Sequence, residues 1–364
     1  MIDLHLHLDG SMRPETVREL LEQKGISPWD SDDDAARALR VGDDCADLND
    51  YLTKFEYPCM VLQTSGAIER AVYELAEDLV HQDVTYAEIR FAPQLSTKEG
   101  LTQEEAVKAA IEGAKEAEME FDDIRIGLIL CCMRGEDHEA NIETVRVASK
   151  YYGNYVCALD LAGAEALYPT DLFNKEFELA KAEEIPFTIH AGEAAGPESI
   201  WRALEFGASR IGHGIRCLED GALVDYLARH KIPLEICPTS NIQTKVYQNY
   251  DEYPVKELLL RGVHVTVNTM PRGDELPALP AHLRLLNDSG VDALIIADLG
   301  VFRMAQREAP NCELHISTQV SIANAACAAA WHELGAKRVV LARELPLEEI
   351  AVIREKTPPS LELE

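Results

Sequence analysis

The stretch IDLHLHLDGS near the amino terminus carries two histidines that could bind a metal ion. Its alternating pattern is typical of a β-strand, in which every second side chain lies on the same face. His5 and His7 would share one face, and two imidazoles at that spacing can take adjacent positions around one metal ion. An HxH pattern alone is weak evidence. Imidazoles buried without a partner would be costly, which favours a bound metal.

Two further histidines end apolar runs. His190 ends PFTIH, and Gly192 allows a sharp turn that would bring Glu193 to the same place. A histidine ligand followed closely by a glutamate combines a metal site with a proton carrier. The alternative is a glutamate in a helix first turn, where carboxylates are common. His213 lies between two glycines in RIGHGI, and its alternative is a tight turn with a solvent-facing histidine.

Short apolar runs alternate with helical patterns along the chain, which predicts parallel βα units. We place strands at 2–8, 85–92, 124–132, 155–161, 186–191, 209–213, 233–237, 263–268, 292–297, 313–317 and 338–343. Polar residues recur at the carboxyl ends of several strands, namely His5, His7, Asp160, His190, His213 and Asn268. A (β/α)8 TIM barrel builds its active site from those ends, so the pattern predicts this α/β fold.

The segment 14–82 has mostly helical patterns and predicts a helical insertion after the first strand. Such an insertion could form a lid over a site or only add packing bulk, and both interpretations stay open. The first eight predicted strands end at 268, which leaves three βα units over. We expect these units to form a small open parallel sheet appended to a complete barrel, rather than to replace its closing helices. Exposed edges of such a sheet favour self-association.

The composition excludes several classes of partner. The net charge is -30 over 364 residues, and such an acidic surface repels phosphates and anionic lipid, so we expect no nucleic acid and no membrane partner. The chain starts without a basic leader or apolar signal segment, and no apolar run approaches the roughly 20 residues of a transmembrane helix. Its nine cysteines show no CxxC spacing. We therefore expect a cytoplasmic protein in a reducing environment.

From residue 1 to about 269 the chain resembles the adenosine deaminase family. The matching motifs occur in order as HLHLDGSMRPETV, YAEIRFAP, ALDLAGAE, TIHAGEA, RIGHGIRCLED, LEICPTSN and VTVNT. The resemblance implies a (β/α)8 barrel with one catalytic zinc ion and a hydrolase of purine metabolism that acts on a nucleoside. It does not extend to the smaller cytidine-type deaminases, which use a histidine and cysteines in a different signature.

The resemblance also implies the roles of the chemical groups. His5, His7 and His190 would bind zinc. Glu193 would donate a proton to the purine ring, and His213 would orient or deprotonate the attacking water. Zinc lowers the pKa of bound water toward about 7, which agrees with a zinc-bound water as the attacking group and with these roles of Glu193 and His213.

Substrate contacts follow from the same resemblance. Asp9 and Gly163 would contact the nucleoside, and His7 would touch it as well as the metal. Asp160 and Glu165 lie near Gly163 in the sequence, but the resemblance gives them no catalytic role. The expected partner is therefore a small purine nucleoside.

One motif departs from the family pattern. In the family, VNT continues into an aspartate that binds zinc and hydrogen-bonds the attacking water, whereas this chain has Met270 and then Pro271. A thioether is a poor zinc ligand and cannot act as a base. Asp274 lies four residues further on, but Pro271 and Gly273 give no reason to expect its carboxylate at the site.

Residues 270–364 resemble a different family, the collagenase-like peptidases, whose members include RNA-hydroxylation proteins. The similarity lies in PRGDELPALPAHLRLLNDSGVDALIIADLGVF and ELHISTQVSIANAACAAAWHELGAKRVVLARELPLEEI. Both resemblances share VTVNT, which indicates a fusion and a boundary between a barrel at 1–269 and a βα segment at 270–364. The cysteine-rich peptidase signature is absent, so no peptidase chemistry carries over, and Arg343 and Glu344 are taken as strand-end polar groups.

Three functions compete. The first is zinc-dependent hydrolytic deamination of adenosine or a related amino-purine nucleoside to the inosine-type product and ammonia, impaired by Met270. Three histidines can hold zinc without a fourth protein ligand, but a lost group that aligns the water should cost much of the rate. The second is a catalytically inactive barrel that binds a nucleoside or a metal. The third, which we favour least, is a peptidase-like or RNA-modification-related protein.

Overall fold

The computed structural model describes residues 2–42, 45–82, 84–249, 252–263, 265–266, 279–288, 290–291, 293–317, 320, 322–342 and 345–363. The chain divides into two compact units, Met1–Asn268 (unit 1) and Thr269–Glu364 (unit 2). This division falls one residue before the boundary expected from the sequence.

Unit 1 has parallel strands that overlap the predicted ranges. They are β1 (Ile2–His7), β2 (Tyr86–Phe91), β3 (Arg125–Met133), β4 (Val156–Ala162), β5 (Thr188–Ala191), β6 (Arg210–His213), β7 (Leu234–Glu235) and β8 (Val265–Thr266). They pair in the orders β1-β2-β3-β4 and β5-β6-β7-β8. A parallel bridge between Leu159 and Phe187 connects β4 with the chain entering β5. This arrangement is a TIM-barrel-type α/β fold, as the sequence predicts at that level.

Helices follow the strands of unit 1. Between β1 and β2 lie α1 (Pro14–Gln23), α2 (Asp32–Leu39), α3 (Leu48–Leu52), α4 (Glu56–Val61) and α5 (Ser65–Val80). The later helices are α6 (Gln103–Glu120), α7 (His138–Tyr151), α8 (Asn174–Ala182), α9 (Pro197–Phe206), α10 (Gly221–His230), α11 (Pro238–Gln243) and α12 (Val255–Leu260). The predicted helical character of 14–82 therefore agrees with the structure.

Local sequence signals explain several of these elements. β3 is buried over nearly its whole length, as expected for a continuous apolar run in a parallel sheet covered on both faces. Thr102 and Glu105 form a capping box that starts α6. α9 begins with Pro197 and ends at Gly207, whose φ of 95° lies in the left-handed region. Together these signals fix where the chain leaves each strand.

Aromatic packing supports the strand that carries His190. The ring of Phe177, on α8, lies 4.7 Å from that of Phe187 and 5.5 Å from that of Phe206 at the end of α9. All three side chains are buried in the main core of unit 1. This cluster holds α8 and α9 against the start of β5.

Unit 2 has a parallel sheet of its own. Its strands are β9 (Ala293–Ile296), β10 (Glu313–Ile316), β11 (Arg338–Val339) and β12 (Glu362–Leu363), in the order β12-β11-β10-β9. Its helices are α13 (Leu279–Asp288), α14 (Leu299–Glu308), α15 (Ala325–Leu334) and α16 (Leu347–Lys356). A separate apolar core contains Phe302, whose ring lies 5.2 Å from that of Trp331. The short strand β12 was not predicted, because Glu362–Leu363 belongs to no apolar run of the kind that marks the other strands.

Two expectations about this region stay predictions. Arg343 and Glu344 lie outside the described residues. Self-association through the sheet edges is an expectation about several chains, whereas the structure contains a single chain. Among the residues that the structure describes, none of the helices has both the length and the apolar character needed to cross a bilayer.

The aromatic cluster yields a stability prediction. Phe177→Ala should lower the free energy of unfolding by about 3–5 kcal/mol, because it removes a fully buried ring and leaves a cavity. Chemical denaturation of the full chain, followed by circular dichroism, measures this. Leu167→Ala is the control, since its side chain is 63% exposed and should change stability by less than about 0.5 kcal/mol. Equal effects of the two substitutions would contradict the packing described.

Candidate active site

Four imidazoles converge at the carboxyl ends of three strands in unit 1. His5 and His7 lie on β1, His190 on β5 and His213 at the end of β6. The ring centroids of His5 lie 4.7 Å from His190, 5.0 Å from His213 and 5.4 Å from His7. Alternation along β1 explains why its two histidines share a face.

The ring nitrogens are close enough to share one ligand. One nitrogen each of His5, His190 and His213 lies within 4.8 Å of the other two. His7 Nε2 lies 3.2 Å from His190 Nε2. Of the three predicted metal ligands, His5 and His190 belong to this triplet together with His213, whereas His7 approaches it through His190.

Two buried carboxylates lie behind these imidazoles. Glu235 Oε2 is 2.9 Å from His5 Nδ1, and Asp160 Oδ2 is 2.8 Å from His190 Nδ1, although the second contact lies off the ring N–H direction. The guanidinium of Arg90 donates to Asp160 over 3.0 Å and to Glu235 over 2.8 Å. Because each carboxylate faces one Nδ1, it orients its ring and leaves the other nitrogen to face the cluster.

The pKa values of three of these imidazoles, those of His5, His7 and His213, are lowered. Burial, and then the charge of Arg90, lowers the pKa of His5 well below its usual value. Burial, and then His190, does the same for His7. Burial and His190 lower the pKa of His213 to about 3. Uncharged imidazoles have free lone pairs at neutral pH, which is the form that binds metals.

The carboxylates behave in the opposite way. Burial alone would raise the pKa of Asp160, but His190 and Arg90 outweigh it and hold that pKa well below the usual value. Burial likewise opposes ionisation of Glu235, but Arg90 and Arg210 lower its pKa below the usual value. Both groups are therefore anionic at neutral pH, and Glu235 lies next to His5, whose pKa is lowered.

Glu193 differs from these carboxylates. Its side chain is buried, its Oε2 lies 3.5 Å from His213 Nε2, and its Oε1 has no hydrogen-bond partner among the described residues. Burial is the main cause that raises the pKa of Glu193 to about 7, with His190 opposing and Glu165 adding to the rise. A carboxyl with that pKa can hold or release a proton at neutral pH.

His213 occupies an unusual backbone conformation. Its φ is 58°, a left-handed value that residues with a Cβ seldom adopt, and Gly214 follows with a φ of 64°. Its Nδ1 lies 2.9 Å from Asn241 Nδ2, and Asn241 Oδ1 accepts a hydrogen bond from the Tyr253 hydroxyl over 2.8 Å. Strain of this kind persists only where surrounding contacts hold the residue in place.

Glycine at 212 allows the strands to approach. A Cβ placed there would lie 3.2 Å from the Cα of His190 and 3.3 Å from Cε1 of His5. Those distances are tighter than ordinary van der Waals contact, so any larger residue would push the two histidines away.

The predicted substrate residues lie near the cluster to different degrees. Asp9 follows β1 directly, and its Oδ1 is buried without a hydrogen-bond partner among the described residues. Burial is the main cause that raises the pKa of Asp9 to about 6. Gly163 follows β4 with a φ of 107° and packs against the backbone of Arg134. Arg134 in turn donates to the carbonyl of His190 over 2.7 Å.

The segment between β1 and β2 also reaches this region. The ring of Phe55 lies 6.4 Å from that of His7. Burial raises the pKa of Tyr51, a side-chain hydrogen bond with Ser240 opposes the rise, and the nearby charge of Glu193 adds to it. This segment therefore contributes side chains at the site as well as packing bulk.

Several residues important to this geometry were missed in the sequence. Arg90 and Glu235 were not singled out, and Asp160 and Glu165 were named without a role. One signal was available, since Arg90 and Glu235 are charged residues inside the otherwise apolar strands YAEIRF and LEICP. Asn241 gave no signal, because an asparagine at the start of a helix is ordinary.

The motif that departs from the family lies outside the described residues. This holds for Asn268, Thr269 and Met270, and for Asp274. The effect of the missing carboxylate therefore stays a prediction.

Comparison with known families decides the class of unit 1. The family model described as "Adenosine deaminase" matches residues 1–275. The chain belongs to the adenosine deaminase family. It is an adenosine deaminase-like aminohydrolase, which confirms the family expected from the sequence. It is 47% identical to an adenosine deaminase of Haemophilus ducreyi over 274 residues, covering 74% of this chain and 80% of that protein.

Further relatives agree. An adenosine deaminase of Clostridium acetobutylicum is 38% identical over 298 residues, covering 80% of this chain and 89% of that protein. Among solved structures, an Arabidopsis ADAL protein complexed with GMP has a TM-score of 0.68 and 26% identity, covering 84% of this chain and 89% of that one. An amidohydrolase of Burkholderia ambifaria with bound Zn has a TM-score of 0.67 and 22% identity, with 74% of each chain covered, and shows the fold alone.

The carboxyl-terminal part of this adenosine deaminase family member matches a second family. The model described as "Peptidase family U32" covers residues 254–364. The two matches overlap at 254–275, which includes the shared VTVNT. The fusion inferred from the sequence is therefore confirmed at the level of families.

Arg90 yields a prediction that depends on pH. In the metal-free chain, Arg90→Met should cost about 3–5 kcal/mol at pH 7, because Asp160 and Glu235 lose their buried counter-charge. Since Arg90 lowers both carboxyl pKa values in the folded state, its stabilisation is present above the ordinary values of 3.8 and 4.5 and is lost as the pH falls. Chemical denaturation at pH 7 and pH 4 should show the smaller loss at pH 4. A loss independent of pH would contradict this account.

Glu193 yields the opposite pH dependence. The pKa of Glu193 in the folded protein is about 7, above the ordinary value of 4.5. The protonated carboxyl therefore stabilises the folded state, and this stabilisation is lost as the pH rises through 7. In chelator-treated protein, Glu193→Gln should therefore raise the melting temperature more at pH 8 than at pH 5. Glu219→Gln, at a more exposed position, is the control and should show no such difference. Equal shifts for Glu193→Gln at the two pH values would argue against the raised pKa.

Proposed function

We propose that this protein hydrolytically deaminates adenosine or a related amino-purine nucleoside to the inosine-type product and ammonia, at a rate reduced by Met270. The observation that carries the proposal is the cluster of imidazoles beside a buried carboxyl, Glu193, whose pKa is about 7. Membership of the adenosine deaminase family supports the reaction class. We further propose that the strands of unit 1 close into a complete eight-stranded barrel.

The donor set fits one zinc ion. We infer that His5, His7 and His190 would hold the ion through imidazole nitrogens, which zinc accepts in sites with three protein ligands and one open position. The low pKa values of His5 and His7 keep their lone pairs free, and Asp160 and Glu235 would compensate a positive ion with negative charge. Zinc held there would lower the pKa of water toward neutrality and so supply a nucleophile.

Glu193 and His213 would carry out the proton transfers of the reaction. Hydrolysis adds water at the ring carbon that bears the amine, and the adjacent ring nitrogen must take up a proton as negative charge develops. Glu193 holds a proton at neutral pH because burial raises its pKa to about 7, so it can donate at that nitrogen. His213, 3.5 Å from Glu193, is uncharged and can accept a hydrogen bond or a proton from the attacking water.

Substrate binding falls to the rim of the site. Asp9 offers a buried oxygen without a partner among the described residues, which could accept a hydrogen bond from a nucleoside hydroxyl. Gly163 and His7 complete the contacts, and Tyr51 and Phe55 supply aromatic surface for a purine. The neighbouring Arabidopsis protein complexed with GMP supports a purine as the ligand class.

A second function is favoured by one residue. Met270 stands where the family has a carboxylate ligand, and its thioether neither binds zinc well nor accepts a proton. A barrel that retains three histidines could therefore bind zinc or a nucleoside without turnover. The peptidase-like alternative has less support, because the part of the chain that matches that family lacks its cysteine-rich signature.

The test is ammonia release from adenosine by the full chain, with zinc quantified in the same sample. We expect about one zinc per chain, slow turnover, and a rate about 10- to 100-fold higher in Met270→Asp, since that is the usual effect of groups that support a metal site. Met270→Asn is the matched control, because it has similar size but no carboxylate, and it should not recover the rate.

Each outcome separates the candidates. Bound zinc without turnover in the natural chain and in Met270→Asp favours the inactive binding barrel. Absence of both zinc and turnover overturns the proposal. Peptide hydrolysis that survives His190→Ala would instead support the peptidase-like alternative.

A further inference from the structure

Glu165 receives an unusual number of hydrogen bonds. It follows β4 and is buried. Its Oε1 accepts from Gly192 N–H over 2.7 Å and from the Ser199 hydroxyl over 2.5 Å. Its Oε2 accepts from the N–H groups of Glu193, Ala194 and Ala195 over 3.1, 2.7 and 2.9 Å. One carboxylate thus accepts hydrogen bonds from all four backbone N–H groups of the turn at 192–195.

This turn carries the chain from β5 to α9. Gly192 begins it with a φ of 73°, so the following N–H groups point to one side and form a concave anion-binding surface. A carboxylate that accepts hydrogen bonds from neutral donors makes stronger bonds than an uncharged acceptor. Without Glu165, four consecutive N–H groups would be left inside the protein with no acceptor of their own.

The turn holds Glu193 itself. The backbone N–H of Glu193 donates to Glu165, so the direction of its Cα–Cβ bond is fixed by that contact. The side chain then places Oε2 at 3.5 Å from His213 Nε2, while its Oε1 makes no hydrogen bond among the described residues. No direct hydrogen bond of the carboxyl fixes its position in this part of the chain, so the backbone must do so.

We propose that Glu165 is a positioning residue that holds the Glu193 carboxyl in place beside the histidine cluster. The proposal rests on the proposed function for its catalytic consequence, but its structural content is independent of turnover. The charge of Glu165 also contributes to the raised pKa of Glu193, which links the two groups electrostatically. Glu165 does not touch the imidazoles in any described contact, so it acts through the turn.

A role in helix capping alone does not account for these contacts. The Gly196 N–H, at the N-cap of α9, bonds to Glu198 rather than to Glu165. Glu165 instead binds the residues that precede the helix, at the point where Glu193 leaves the strand. A helix cap would alter stability, whereas a positioning residue must alter the chemical step as well.

Glu165→Gln is the decisive substitution. It keeps the size of the side chain but replaces one carboxylate oxygen by an NH₂ group, which cannot accept a hydrogen bond. Two donors lose their acceptor if the NH₂ group takes the place of Oε1, and three if it takes the place of Oε2. Hydrogen exchange of residues 191–196, measured by mass spectrometry on the zinc-loaded full chain, should become at least about 10-fold faster, since exchange reports local opening. The kcat for adenosine should fall about 10- to 100-fold, with KM changed far less, because misplacement affects the chemical step.

Two controls separate position from stability. Ser199→Ala removes one of the five donors and leaves the backbone turn bound, so kcat and exchange should change little. Glu176→Gln changes another fully buried glutamate, whose Oε1 lies 2.5 Å from His138 Nδ1. Any effect of this substitution should appear as a lower melting temperature, and kcat should not fall without it.

A double-mutant cycle tests the route of action. If Glu165 acts through Glu193, adding Glu165→Gln to Glu193→Gln should cost almost nothing further in kcat. Additive losses, or unchanged exchange at 191–196, overturn the proposal. The cycle is run in Met270→Asp if the natural chain is too slow. If neither turns over, the proposed function fails, and the exchange experiment alone decides whether Glu165 holds the turn.

Discussion

A single guanidinium balances two buried carboxylates beneath the histidine cluster. Arg90 bonds to Asp160 and Glu235, and all three side chains are fully buried, so removing any one leaves an uncompensated charge inside the protein. These carboxylates face His190 and His5 in turn. Strands β1, β2, β4, β5 and β7 are therefore connected through one charged network, and the ring orientations follow from it. A protein interior built this way has little freedom to relax around a substituted group.

The same interior divides its titratable groups into two sets. Asp160 and Glu235 have counter-charges and remain anionic, whereas Glu193 has mainly burial acting on it, which raises its pKa to about 7. Acid–base sites typically give chemically similar groups different pKa values through their different environments, because one group must stay charged while another exchanges a proton. The structure thus separates Glu193 from Asp160 and Glu235 by environment, although all three are common acidic residues, and this difference supports the role proposed for Glu193.

Sequence reasoning found the residues whose signal is local. His5 and His7 follow from strand alternation, and His190 and His213 from their place at strand ends next to glycines. The strands and the helical segment at 14–82 were predictable for the same reason. The contacts of Arg90 with Glu235, and of Glu165 with the turn at 192–195, join segments far apart in the chain, and spacing carries no information about them. Their partners become visible only when the strands are assembled.

The position of the fusion accounts for the proposed loss of one site residue while the others remain. The two family matches overlap at 254–275, so residue 270 lies where either parent family could have supplied the sequence. The strand β8 fits both families, since a parallel strand followed by a helix is the common unit of both. Met270 lies four residues beyond that strand, at the position where the family resemblance places a carboxylate. Joining two such chains at a shared strand would preserve the fold of both parts and still replace the carboxylate by Met270.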